Sequence, residues 1–584
     1  YNYDTKYYLG INNSNYNTLA IENYLTYNWK NDIHNLTVMA GNSISRGFGN
    51  WSNASGNGFP GDNIRDISLT NDPSARSGLG AYNLESRGLS FFGRFQYSLK
   101  DRYILTGTMR RDGSSNFGAD NRWGNFPSLA AAWRISEENF MKTVPAISNL
   151  KLRLGWGQTG NSGGPTDLSV TALTSNKIQY FYYGQNGQSG MNTTRQLATG
   201  YAPTLTDPRL KWETNEQSNI GIDLGVLNNN LSLTLDYFVR KSKDLLLYQS
   251  IRPSSGYTQV YTNYGEIENK GIEFSLNYKK QINQDWNFSA MLTGSTLKNK
   301  VVKMGADLFS ENTGTTNDGS NVGAIGAPSG THWNGHSICR EGYAVGSFWG
   351  YEVEGIYQTQ AEIDAANAAA IAAGHSGGYN NGSKTVPGDF KYKDLNGDGY
   401  LSDKDMTILG NGFPKLNYGL TLNAAYKNWD ISVYAYGVAG VKIYSYSAMT
   451  LSNMFPSDNG TTPNVLQEVA ETAWTPTNHS TSMSRLSFLD LNYNMRGSDK
   501  WVKKGDFLKI SNVQIGYNLD KKLMKSIGLE SARLYVSVQN LACFSSYNKY
   551  GDPEAGQGSV LYTGLDTGRY PSARTYSFGL NIQF

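Results

Sequence analysis

The chain of 584 residues is predicted to be all-β, a transmembrane antiparallel β-barrel, on three observations. Its apolar residues alternate with polar ones, its connections alternate between short and long, and its last strand ends on an aromatic. Composition agrees, with 40 Tyr, 12 Trp and 64 Gly suited to strands and turns. Mean hydropathy is −0.49 and no run of about 18 apolar residues occurs, which excludes a membrane-spanning helix. A barrel is untouched by that exclusion, because alternating strands hide from hydropathy averages. The net charge of +3 is too small to suggest nucleic acid as a partner.

The closing strand "TYSFGLNIQF" sets Phe578, Leu580, Ile582 and Phe584 on one face and Ser577, Gly579, Asn581 and Gln583 on the other. The same period recurs at Ile220, Ile222, Leu224 and Val226, and at Leu231, Leu233, Leu235 and Tyr237. It recurs again at Ile272, Phe274, Leu276 and Tyr278, and at Leu420, Leu422, Ala424 and Tyr426. About fifteen such segments are present, most near the length that crosses a bilayer at a tilt. Residues 98–103, 226–232, 279–287 and 426–430 read as tight turns, and 46–87, 159–216, 240–267, 298–414 and 439–505 as long loops. This parity marks a membrane barrel with long extracellular loops; a soluble sandwich has no such rule. Tyr103, Tyr278, Trp286, Tyr426 and Trp429 stand near strand ends, where they serve an interfacial girdle or ordinary cross-strand packing.

"DRYILTGTMRRDGSSNFGADNRWGNFPSLAAAWRISEENFM" (101–141), "LKWETNEQSNIGIDLGVLNNNLSLTLDYFVRKSKDLLL" (210–247) and "NKGIEFSLNYK" (269–279) resemble the barrel of SusC/RagA-like TonB-dependent transporters. So do "EGYAVGSFWGYEVEGIYQT" (341–359), "GDFKYKDLNGDGYLSDKDMTILGN" (388–411) and "YPSARTYSFGLNIQF" (570–584). The resemblance implies a barrel of about 22 strands with an N-terminal plug, of which about 15–16 strands fall in this chain. It implies location in the Gram-negative outer membrane among its lipids, energisation through TonB, and a SusD-like surface lipoprotein as lid. Oligosaccharides, the products of glycan breakdown, are the implied substrates, with oligopeptides in the RagA branch. The plug and TonB box are absent from this chain, which opens "YNYDTKYYLG" and is expected to be a fragment. A passive porin or a surface adhesion barrel is the alternative from another class.

Within 298–414, "DLNGDGYLSDKD" has the spacing of a calcium loop of the EF-hand type. Asp394, Asn396 and Asp398 take its first, third and fifth positions, Gly399 its turn, and Tyr400 offers a carbonyl at the seventh. Ser402 falls at the ninth and Asp405 at the twelfth, where a longer Glu is usual. An oxygen-only set favours Ca²⁺ in a structural role, clipping a loop expected to lack a hydrophobic core. The other reading is an Asx-rich turn without metal. Residues 361–374 form a weak helical piece.

Catalysis finds no support, so the chain is not expected to be an enzyme. His332 and His336 reach ligand spacing only if helical, and their Gly, Asn and Pro neighbours argue for a loop. "GQTGNSGGP" (157–165) lacks the Lys of a phosphate loop. Cys339 and Cys543 either pair or stay free. Trp333, Trp474 and the cluster Tyr180, Phe181, Tyr182 and Tyr183 are loop aromatics suited to holding glycans, or to packing.

Overall fold

A computed structural model describes residues 7–59, 63, 65–69, 76–163, 178–181, 198–201, 205–207, 209–250, 259–304, 337–380, 384–454, 464–554 and 563–584. Its dominant feature is one 16-stranded sheet. Along it run β1 (Tyr7–Lys30), β2 (His34–Phe59), β3 (Ser77–Leu99), β4 (Tyr103–Ser114), β5 (Trp123–Arg134), β6 (Ile147–Asn161), β7 (Glu213–Val226) and β8 (Leu231–Lys243). There follow β9 (Glu266–Gln281), β10 (Trp286–Thr296), β11 (Leu416–Tyr426), β12 (Trp429–Ala439), β13 (Phe507–Asn518), β14 (Ser531–Ser545) and β15 (Thr575–Gln583). Each pairs with its neighbours in chain order, and Lys298–Lys303 adds to β9. Among the described residues no helix is long and apolar enough to cross a membrane.

The chain forms two compact units. The first comprises Tyr1–Trp133, Leu154–Gln217 and Ser242–Tyr264. Here β2 and β3 run well past the predicted strand ends, and the expected loop 46–87 is largely sheet, with Arg46 opposite Arg87 and Ser52 opposite Gly80. The connection shrinks to 60–76. Glycine, asparagine and serine made "GNWSNASGNGF" look like loop, but the facing strand β1 satisfies its backbone from Asn17 opposite Phe48 to Tyr8 opposite Asn57. A small core of Phe117, Leu210, Leu246 and Tyr261, with Trp212 against it, closes the long-connection end of this unit.

The second unit comprises Arg134–Arg153, Ser218–Lys241 and Gly265–Phe584. Its short turns use left-handed backbone at Leu227, Asn228, Asn229 and Lys427, the twist that joins antiparallel strands directly. Beside those turns three of the five expected aromatics form a row with Tyr517 across four adjacent strands, Trp286 opposite Tyr426, Tyr426 opposite Trp429, and Trp429 opposite Tyr517, while Tyr278 packs on Phe288 and, in the first unit, Tyr103 on Trp133. The Trp286 and Tyr426 rings lie 4.5 Å apart and those of Trp429 and Tyr517 4.8 Å apart. The cross-strand packing expected of these rings is therefore present.

Candidate functional site

At the long-connection end of the second unit, chain segments that read as loops fold into a packed rim. Phe348, Trp349, Tyr351, Phe390, Tyr392, Tyr444, Met449, Trp501 and Leu565 belong to one buried cluster. These residues come from the connections β10–β11, β12–β13 and β14–β15. Burying an aromatic of this kind stabilises by about 2–3 kcal/mol, so the rim is held by a core of its own. Leu401, inside the calcium-type loop, and Met406, directly after it, are part of that core. This corrects the expectation of a loop without one.

A buried polar network joins two of these connections. Asp389 is fully buried and accepts from Arg485 Nε at 2.7 Å, from Asn494 Nδ2 at 3.0 Å and from the Val386 amide at 2.9 Å. Asn494 Oδ1 in turn accepts from the Phe390 amide at 2.9 Å and from Asn492 Nδ2 at 2.7 Å. Asp490 accepts the Asn494 and Met495 amides at 2.7 and 2.9 Å. Every one of these bonds fastens 386–390 or 490–495, so the network locks two loops that meet only in three dimensions. No local pattern announces it, because Asp389 and Arg485 are 96 residues apart.

The predicted metal loop lies at the edge of this rim, and its five residues are placed as follows. Asp394 accepts the Gly397 and Gly399 amides at 2.6 and 2.8 Å. Asn396 donates to Asp398 at 2.8 Å and accepts the Asp398 amide at 2.9 Å, while Asp398 also accepts the Tyr400 amide at 3.3 Å. Asp405 is fully buried and accepts the amides of Leu395, Asn396 and Ser402 and the Ser402 hydroxyl, at 2.9, 3.3, 2.7 and 3.3 Å. Gly397 and Gly399 adopt φ of +74° and +88°, which explains why glycine recurs there. Ser402 and Asp405 close a capping box over the turn Asp403–Asp405, and Asp403 accepts from the Tyr351 hydroxyl.

The donor chemistry of this loop suits a hard cation, being entirely oxygen. Asp394, Asp398 and Asp405 also meet no cationic side chain among the described residues. Against that, no three His, Cys, Asp or Glu side chains are gathered to hold a metal among the described residues. The carboxylates turn to the loop's own amides instead.

Other candidates resolve differently. Trp474 packs in the rim core and donates to Gln358 Oε1 at 3.0 Å, which makes it structural. Tyr180 and Phe181 lie in a short strand, Ile178–Phe181, whose side chains are outside the described set, as are Tyr182, Tyr183, His332, Trp333 and His336. Both cysteines are free thiols, and burial raises the pKa of Cys339. The predicted helical piece is a helix, α1 (Gln360–Ala372), capped by the Thr359 hydroxyl. The Ile363 and Ala370 side chains are its buried anchors.

The family described as TonB dependent receptor-like, beta-barrel matches residues 1–400. A TonB-dependent receptor, P3, of Formosa agariphila is 33% identical over 97% of this chain and 52% of its own length. TonB-dependent receptor SusC of Bacteroides thetaiotaomicron is 31% identical over 86% of this chain and 44% of its own. The chain therefore spans about half the length of the curated relatives it matches. Among solved structures, the RagAB peptide importer in its closed-closed state superposes with a TM-score of 0.74 at 22% identity, covering 98% of this chain and 56% of that one. These relatives are receptors and transporters, not enzymes. Sheet, turn parity and the family match agree that the chain belongs to the TonB-dependent receptor β-barrel family of the outer membrane.

Proposed function

We propose that this chain is the barrel part of an active importer that takes oligosaccharides across the outer membrane. It works with a SusD-like surface lipoprotein and draws energy from TonB. The observation that carries the proposal is the family match together with a packed rim, since a preordered mouth is what capture between loops and a lid requires. The oligosaccharide reading follows the SusC-like resemblance of the sequence, and oligopeptides are the alternative that the RagAB likeness keeps open. The test is binding of the purified transporter and its lipoprotein to a panel of oligosaccharides and peptides, followed by uptake with and without TonB. Binding of peptides alone would move the protein to the RagA-like class, and uptake that persists without TonB would make it a passive barrel.

The rim loop 394–405 is proposed to take a structural Ca²⁺ through Asp394, Asn396, Asp398, the Tyr400 carbonyl and Asp405. Supporting this are the all-oxygen set and a run of carboxylates without a cationic partner among the described residues. Each oxygen that accepts an amide keeps a further lone pair for a cation. When bound, the ion neutralises that charge. The chain's own amides hold the loop's shape, so the ion adds rigidity to a turn already formed.

A further inference from the structure

The outward face of β2 to β5, in the first unit, carries a feature that import does not use. On this face the strands place Val38, Ile44, Leu89, Phe91, Phe95, Leu105, Met109 and Leu129 in register. Phe91, Phe95, Leu105, Met109 and Leu129 are each well exposed, the property of a lipid-facing band. The opposite face of the same strands holds Arg94, Gln96, Thr106, Thr108, Arg110 and Asp112, which suits a wet lumen.

Toward the long-connection end the apolar face gives way abruptly to arginine. Arg46 stands opposite Arg87, and Arg111 opposite Phe91. From Leu36 beside the short turn to Arg46, strand rise and a tilt near 40° give about 25 Å of height, the thickness of the apolar band of such barrels. On that estimate the arginines begin at the edge of an apolar band, at the long-connection end of the strands.

Arg46 and Arg87 line a cleft of about 790 Å³ that has Ile44, Leu89 and Trp123 at its apolar side and sets these two arginines and Arg122 against the single Glu85 at its polar side. Glu85 holds two of the guanidinium groups in place, accepting from Arg46 Nε at 2.6 Å and from Arg87 Nε at 2.9 Å. Among the described residues both Nη groups of Arg46 and one of Arg87 carry no further hydrogen bond, a fork that matches phosphate oxygens. Arg111 lies 5.1 Å over the Trp123 ring, and neither Arg111 nor Arg122 meets a carboxylate among the described residues. A surplus of arginine next to lipid-facing aromatics is costly in apolar surroundings and is stabilised by an anionic headgroup.

We propose that this cleft binds the phosphorylated headgroup of an outer-leaflet lipid, whose acyl chains lie along Ile44, Leu89 and Phe91. The occupant is the membrane's own lipid, and the site stands apart from the import path.

The test uses the full transporter extracted from the outer membrane in mild detergent, with native mass spectrometry to count co-purifying phosphorylated lipid. Arg87→Gln/Arg122→Gln is expected to cut retained lipid at least tenfold, while Arg110→Gln, on the lumen face, leaves it unchanged. Heat-modifiable gel mobility reports whether each variant is folded, and Arg46→Gln alone replaces the double variant if that one is not. Rebinding of purified lipid is expected to fall at least tenfold once its phosphates are removed. Equal retention by folded wild type and variant, equal binding of the phosphate-free lipid, or full displacement by millimolar inorganic phosphate would each overturn the proposal.

Discussion

Replacing Asp405 by alanine removes the one acceptor shared by three backbone amides and a hydroxyl in the rim loop. Bonds to a charged acceptor contribute about 1.5–3 kcal/mol each, but they are not additive, because Leu395 and Asn396 lie at the surface and their amides can rehydrate. The Ser402 amide, with the shortest bond at 2.7 Å, has least recourse. A local loss of about 3 kcal/mol follows, which is roughly a hundredfold faster hydrogen exchange at the amides of Leu395, Asn396 and Ser402. Asp405→Asn keeps the volume and turns one acceptor into a donor, so it separates the lost bonds from the cavity. The assay is hydrogen exchange resolved to peptides spanning 394–405, with and without calcium chelator. The difference is expected to persist in chelator, since the amides need no metal. Unchanged exchange in Asp405→Ala would refute the reasoning, and a difference that vanishes in chelator would show that the carboxylate acts through the ion alone.

Asp398→Ala is expected to lose the proposed calcium, measured by elemental analysis of the purified protein, and to loosen 394–405 while barrel gel mobility is retained; global unfolding would contradict a structural role. Arg485→Met strands the fully buried Asp389 carboxylate, and a local loss of about 3–5 kcal/mol is expected, read as faster proteolysis between 384 and 394. Lys503, in the rim strand Val502–Lys504, has its pKa depressed to about 8 from 10.5, chiefly by burial and then by Lys500 and Lys549. The unfolded chain then binds more protons than the folded one between about pH 8 and 10.5, so this residue makes rim stability rise with pH across that window. Lys503→Met is expected to raise rim stability at pH 7 and flatten the rise, which thermal scans at pH 7 and pH 9.5 would check.

The strands, their faces and their short turns were legible in the sequence, since each depends on residues next to one another. Alternation at Ile272, Phe274, Leu276 and Tyr278 fell within β9, and the tight turns after Val226 and Tyr426 fell between paired strands. The aromatic row was legible in Trp286, Tyr426 and Trp429, because strand ends locate their own aromatics, whereas Tyr517 joined it only through strand register. What composition obscured was the length of β2 and β3: glycine and asparagine look like loop until a neighbouring strand supplies hydrogen-bond partners. In the calcium-type loop the sequence located Asp394, Asn396, Asp398 and Asp405 in one tight turn. Only the folded loop decided that Asp405 faces inward to three amides, while Leu401 and Met406 anchor the turn in a core. The rim core and the Asp389–Arg485–Asn494 network were illegible for a related reason, since they join side chains about a hundred positions apart and leave no period in either segment. The same holds for the arginine cleft, where Arg46, Arg87 and Arg122 become neighbours only through strand register. Short-range periodicity determined the barrel, and long-range pairing decided what stands at its rim and on its flank.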